Sequence, residues 1–243
     1  VVDVVDARIM DLLQRHAYDC YPRGPASGLD QESLMDQQEY VIAYTWGVLP
    51  DLILASGSPR RKQWLEALRI PFTVVISHID ETPLINEGAQ ALVERLAQAK
   101  AEHVSRDHVE SWILAADTTV SLKGKILNKP RDPSDAIAML KSLQGQTHEV
   151  HTGCCLRRAD RSILIHDMAH VTFRAMSEEE IRWYVSTEEP MDKAGAYAIQ
   201  GQGAYFITNV EGSYATVMGL PVEKLIPHLK SLGLLKVWAR LPD

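Results

Sequence analysis

The stretch Leu52-Ile-Leu-Ala-Ser-Gly-Ser-Pro-Arg-Arg61 holds the densest chemistry in the chain. Leu52–Ala55 reads as a short buried strand, and Ser56-Gly57 as a small-residue turn. Ser58 and Pro59 stand where a helix N-cap and first helical residue belong. Such a helix start turns free N–H groups outward and favours anions. Arg60 and Arg61 in that same first turn oppose the helix dipole, at a cost of about 0.3–1 kcal/mol. A bound anion, above all a phosphate chain, would remove the conflict. Asp117 follows the apolar run Ile113-Leu-Ala-Ala116, which predicts an acid at the mouth of a buried strand. It reads either as a turn-forming or capping Asp, or as a metal ligand or base for water. Asp80-Glu81 alone would be ordinary turn chemistry. Beside Asp117 it could complete an oxygen-rich Mg²⁺ site, which takes one or two carboxylates plus substrate phosphates. Lys100 and Lys129 would ordinarily be solvated. With the arginines they could neutralise a triphosphate, Arg through bidentate hydrogen bonds and Lys as a point charge.

The elements that must position these groups alternate from Leu52 onward. Residues 59–69 suit a helix, Pro71–Ile76 a strand and His78–Thr82 a polar turn. Residues 88–106 suit a helix with Leu92, Leu96 and Ala99 on one face. Trp112–Ala116 reads as a strand ending at Asp117, and Ser121–Leu127 carries a hairpin-like Lys-Gly. Asp132-Pro133 opens a helix to Leu143. Thr147–Leu156 and Ser162–Arg174 read as two long strands. Ser177-Glu-Glu-Glu180 is a capping box for a helix to about Thr187. Tyr197–Ile207 reads as a Gly-rich strand, and Pro221–Leu232 as a final helix. This order predicts an α/β fold with a mixed, twisted sheet flanked by helices.

Composition bounds the function. Hydrophobic content of 46% and charged content of 23% are ordinary for a globular chain. The formal net charge is −7, of which residues 1–50 supply −5 from eight acids and three arginines. The nearly neutral remainder argues against a nucleic-acid partner, which usually needs a basic face. No apolar run approaches the roughly 18 residues of a membrane span, and no signal peptide is evident. Cys20, Cys154 and Cys155 suggest neither a disulfide framework nor a zinc site, so a cytoplasmic setting is expected. Residues 1–50 read as a partly irregular appendage with a short helix near 4–17, and residues 51–243 as the body of the protein. His148 and His151, three apart on a strand, face opposite sides and cannot chelate together. His166 and His170 share a face but lie about 13 Å apart. Gly201-Gln-Gly203 lacks the helix a dinucleotide fingerprint needs.

The ordered motifs resemble a known family. They are Ser56-Gly-Ser-Pro-Arg-Arg61, Asp80-Glu-Thr82, Arg95-Leu-Ala-Gln-Ala-Lys100, Ala116-Asp-Thr-Thr-Val120, Lys129-Pro130, His148-Glu-Val-His-Thr-Gly153, Asp192-Lys-Ala-Gly-Ala-Tyr-Ala-Ile-Gln-Gly201, Gly212-Ser-Tyr214 and Gly219-Leu-Pro221. Together they resemble the Maf family of nucleoside triphosphate pyrophosphatases over residues 51–233. The Ile-Gln-Gly at 199–201 is similar to the branch acting on dTTP and UTP. The resemblance implies a Maf/ITPase-like fold with a cleft, and hydrolysis between the α- and β-phosphates to a monophosphate and pyrophosphate. It implies a divalent cation, Mg²⁺ or Mn²⁺, and a house-cleaning role against modified pyrimidine nucleotides. By motif, Asp117 matches the family's proton acceptor, and Arg60, Thr118 and Gln200 match positions tied to substrate choice. Ser56, Arg61, Lys100 and Lys129 match positions expected near phosphate. Glu81 matches a site acid, a metal ligand together with Asp117. Asn128 stands where Gly is more usual. The same chemistry on 7-methyl-GTP, or a nucleotide-sensing role in cell division, is the alternative. A homodimer is the default association.

Overall fold

The computed structural model describes residues 52–235. The expected appendage at 1–50 and its helix near 4–17 lie outside the described residues. Seven strands form one sheet in the order β2-β1-β3-β5-β6-β7, with β4 paired to β3. They are β1 (Leu52–Leu54), β2 (Thr73–Val74), β3 (Trp112–Leu122), β4 (Lys125–Leu127), β5 (Thr147–Arg158), β6 (Arg161–Phe173) and β7 (Ile207–Glu211). β1 runs parallel to β2 and β3, and the remaining pairs are antiparallel. The helices are α1 (Pro59–Ala67), α2 (Ala89–Ser105), α3 (Pro133–Leu143), α4 (Glu178–Ser186), α5 (Tyr214–Val217) and α6 (Val222–Ser231). The mixed α/β architecture is the expected one.

Local chemistry explains most boundaries. Asp132 caps α3 by accepting from Asp135 N, and Ser177 with Glu180 forms the full capping box of α4. Lys123 and Gly124 turn the β3–β4 hairpin with φ of 52° and 80°, the left-handed pair that a two-residue hairpin favours. Three expectations need correction. The strand expected over 71–76 is only Thr73–Val74, both exposed at the sheet edge, where packing gives little reason for pairing to extend. Tyr197–Ile207 is not a strand: three 3-10 turns span Glu189–Phe206, and pairing begins only at Ile207. Their backbone is held by the Glu189 carboxylate, which accepts from Tyr184 Oη and from the N–H groups of Gln202 and Gly203. β3 does not stop at Asp117 but runs on to Leu122, because β5 continues to pair with it through Ser121.

The sheet separates three apolar clusters. One face carries α2, whose Ala97, Ala101 and Val104 pack on Ile53, Ile113 and Cys155. The other face carries two clusters. Leu114, Ala116 and Cys154 pack with α1 and α6, while Val120 and Val150 pack with α3 and α4. Cys154 and Cys155 therefore point to opposite faces, as alternation requires. Between the two clusters on the second face lies a polar cross-strand row, Thr118–Thr152–Asp167.

Candidate active site

A cleft of about 870 Å³ opens where β1 ends. β1 pairs with β3 only through Leu114, and β4 takes up β3 only at Val120. Ala115–Thr119 thus leave one edge without a strand partner among the described residues, and Asp117 and Thr118 line the cleft there. The open edge lets side chains from both faces of β3 reach one space: Asp117 from the α2 face and Thr118 from the other. The crevice beyond the carboxyl end of a strand at such a divergence is the usual ligand position in open α/β sheets.

The β1–α1 turn forms one wall. Ser58 holds the N-cap position as expected, but its side chain makes no capping bond. Ser56 Oγ instead accepts from Ser58 N at 3.2 Å and from Arg61 Nη1 at 2.9 Å. Arg61 is buried, and its Nε donates to Gly219 O at 2.8 Å and its Nη2 to Thr118 Oγ1 at 3.1 Å. Burial works to lower its pKa, opposed by the charge of Asp117. Its three hydrogen-bonding partners are neutral. A buried guanidinium so held keeps N–H groups and a full charge for an anion. Gly219, at φ +97°, makes the approach possible: a Cβ there would stand 3.1 Å from Thr118 Oγ1 and 3.5 Å from Arg61 Nε. Arg60 is half-buried, its pKa lowered by burial against the charge of Asp192.

The opposite wall comes from α2. Gly153 lets the helix settle directly on β5, since a Cβ there would fall 2.4 Å from Val93 O. Two turns further on, Lys100 is buried, and its Nζ meets Glu81 Oε1 at 2.6 Å and Asp117 Oδ1 at 2.7 Å. Burial raises the Asp117 pKa despite the Lys100 charge and hydrogen bond. Burial also works to raise Glu81, but the hydrogen bond and charge of Lys100, with Lys129 and Arg61 behind it, bring its pKa below the ordinary value. One acid is therefore made more basic and the other kept ionised. Lys129 is exposed on the cleft rim beside Asn128, whose Oδ1 accepts from Thr119 Oγ1 at 3.1 Å.

The structure gathers Ser56, Arg60, Arg61, Glu81, Lys100, Asp117, Thr118 and Lys129 around one cleft. Gln200 is exposed, outside the residues lining the cleft, and hydrogen-bonded to Tyr214. Sequence reasoning carried Gly219, Asp192 and Lys193, which also line the cleft, and Thr152 beneath it only as motif members without a role, and it missed Thr216. It also missed a pairing across strands: His151 Nδ1 lies 3.1 Å from His166 Nε2 on the α2 face. No group of three or more His, Cys, Asp or Glu among the described residues could hold a metal by itself. No helix among them is long and apolar enough to cross a membrane.

Comparison with known proteins identifies the family. The family described as Maf-like protein matches residues 51–232. A dTTP/UTP pyrophosphatase of Myxococcus xanthus is 48% identical over 188 residues, covering 77% of this chain and 95% of that protein. A dTTP/UTP pyrophosphatase of Bacillus cytotoxicus is 46% identical over 178 residues, covering 73% and 93%. Among solved structures, a HAM1 protein from Coxiella burnetii aligns at 14% identity over 74% of this chain and 98% of that one, with a TM-score of 0.43.

Proposed function

The chain belongs to the Maf family, and from that premise we propose that it hydrolyses dTTP and UTP to the nucleoside monophosphate and pyrophosphate. The observation that carries the reading is the meeting of Asp117, Glu81 and Lys100 across one cleft from the buried Arg61. A nucleoside triphosphate carries about four negative charges, so cations must stand close before water can approach its α-phosphorus. Arg61, with Ser56 and the start of α1, receives the phosphate tail, and Lys129 neutralises it from the rim. Water attacks the α-phosphorus, the bond to the bridging β-oxygen breaks, and pyrophosphate leaves. Asp117 takes the proton of that water, and its raised pKa suits a base better than an ordinary Asp would. Thr118 and Arg60 line the same space and contribute to substrate choice. Gln200 is assigned to it as well, which requires its amide to leave Tyr214.

A divalent cation fits the donor set. Glu81 and Asp117 already share one cation, Lys100 Nζ, so two hard oxygen ligands converge. Mg²⁺ usually binds through one or two carboxylates plus substrate phosphates. Glu81 and Asp117 would hold Mg²⁺ or Mn²⁺, which when bound supplies charge neutralisation for the phosphates. Free, buried Cys154 and Cys155 accord with a reducing cytoplasm. Residues 51–243 carry the activity, with 1–50 as an appendage to it, and the chain associates as a homodimer.

The test is a pyrophosphate-release screen over dTTP, UTP, the other nucleoside triphosphates and 7-methyl-GTP, with and without Mg²⁺ or Mn²⁺. Metal-dependent release from dTTP and UTP is expected. Release from 7-methyl-GTP alone, or tight dTTP binding without release, overturns the reading.

A further inference from the structure

The sheet face beneath the cleft has a polar row between two apolar ones. Ala116–Cys154–Ile165 lies on one side and Val120–Val150–Ala169 on the other, all buried. The row between them is Thr118–Thr152–Asp167, one residue from each of β3, β5 and β6. Thr152, fully buried in the middle of the row, needs a partner, and α5 supplies one to it and one to Asp167. Thr152 Oγ1 donates to Thr216 O at 2.7 Å, and Thr216 Oγ1 donates to Asp167 Oδ2 at 2.5 Å. Asp167 Oδ1 is paired with Lys224 Nζ at 2.6 Å, which ties α6 to the same row.

The direction of each hydrogen bond follows from counting protons. A hydroxyl has one proton to give. That of Thr152 goes to Thr216 O, so Thr152 accepts in its 3.0 Å contact with Thr118 Oγ1. Thr118 therefore donates to Thr152 and keeps its lone pairs toward the cleft, where it accepts from Arg61 Nη2. Thr216 O also accepts from Gly219 N at 3.0 Å, and Gly219 O accepts from Arg61 Nε. Two routes from the row thus end on one guanidinium, one through Thr118 and one through the turn after α5.

We propose that Thr152 and Asp167 are positioning residues for Arg61: they hold Thr118 in its accepting orientation and α5 in place, and so aim the guanidinium at the substrate's phosphates. This rests on the reading of Arg61 as the phosphate-binding cation. Neither residue lines the cleft, so neither contacts substrate. Thr152→Val keeps the shape and removes the oxygen that accepts from Thr118 and so orients it. Asp167→Ala removes the anchor of Thr216, whereas Asp167→Asn leaves an amide oxygen to accept from it.

The experiment measures steady-state kcat and KM with dTTP, together with thermal unfolding, on the full chain. Thr152→Val and Asp167→Ala are each expected to lower kcat/KM about tenfold. Thr152→Ser and Asp167→Asn are expected to restore it to within about threefold, although each conservative change disturbs packing or charge as much as a simple structural role would register. Wild-type kcat/KM in Thr152→Val or in folded Asp167→Ala, in a series where Arg61→Ala loses activity, overturns the proposal. Failure of Thr152→Ser to rescue does the same. Full activity in Arg61→Ala instead overturns the reading of Arg61 on which the proposal rests.

Discussion

Asp117 and Lys100 form the pair on which the site's electrostatics turn. Burial opposes the charge on Asp117, and Lys100 only partly offsets that. Asp117→Asn should therefore cut dTTP turnover by about 10²–10⁴-fold, the usual contribution of a general base. The unfolding midpoint should stay equal or rise, because a carboxylate disfavoured by burial has been removed. Calorimetry beside a pyrophosphate assay checks both halves. Lys100→Met should behave differently. It leaves Asp117 buried beside Glu81 with no cation between them, and breaking a buried pair costs about 3–5 kcal/mol. Urea unfolding should register that loss, and the double variant Lys100→Met/Asp117→Asn should recover most of it without recovering turnover. Lys100 was legible only through its family motif, because a lone helical lysine ordinarily reads as solvated; the structure puts it four residues after Leu96 on the buried face of α2. Gly219 and Thr152 stood in the ordered motifs without a role of their own. Their importance comes from neighbours on other strands and turns, and cross-strand register is absent from a local pattern.

At the scale of elements, α2 and β5 meet at Gly153, where backbone lies against backbone. Gly153→Ala must push the helix off the strand, since a Cβ at 2.4 Å from Val93 O has no flexible side chain to displace. A loss of about 1–3 kcal/mol is expected from such overpacking, with reduced turnover because Lys100 rides on the displaced helix. β5 also carries His148, whose Nε2 is 2.9 Å from Tyr197 Oη on the cleft wall. Burial lowers its pKa from 6.5 to about 4. The unfolded chain therefore takes up a proton that the folded one refuses. The stability this holds above pH 6.5 is lost as pH falls toward about 4. At about 1.4 kcal/mol per pH unit the full loss is roughly 3 kcal/mol. A plot of unfolding free energy against pH should be flatter over that window in His148→Gln than in the parent. Three helices were readable from their starts, for Asp132, Ser177 and Pro59 each stand where their sequence signals place them, while α5 was not read. Most strands were readable as existing but not in extent, and β7 was read too early in the chain. β3 outran its apolar run because β5 kept pairing with it past Asp117, and 197–207 lost its strand character to turns that Glu189 holds.

For the whole molecule, the cleft and the chain differ in charge. Arg60, Arg61, Lys100, Lys129, Arg131 and Lys193 line the cleft against Asp80, Glu81, Asp117, Asp135 and Asp192, while the chain as a whole carries −7. The motifs made the cations legible one by one. Their gathering around one open edge of β3 was not, because it depends on where β1 stops and β4 starts. At long range an incoming polyanion meets the net charge of the chain, five of its seven net negative charges contributed by residues 1–50, before it meets an attracting mouth. Salt shortens the reach of the first to about 10 Å at 0.1 M and screens contacts inside the cleft much less. The capture rate of dTTP, read as kcat/KM, should accordingly rise between about 10 mM and 100 mM ionic strength, the reverse of an enzyme that steers its substrate from a distance. Diffusion brings the nucleotide to this protein unaided, and recognition begins only within the last few water layers.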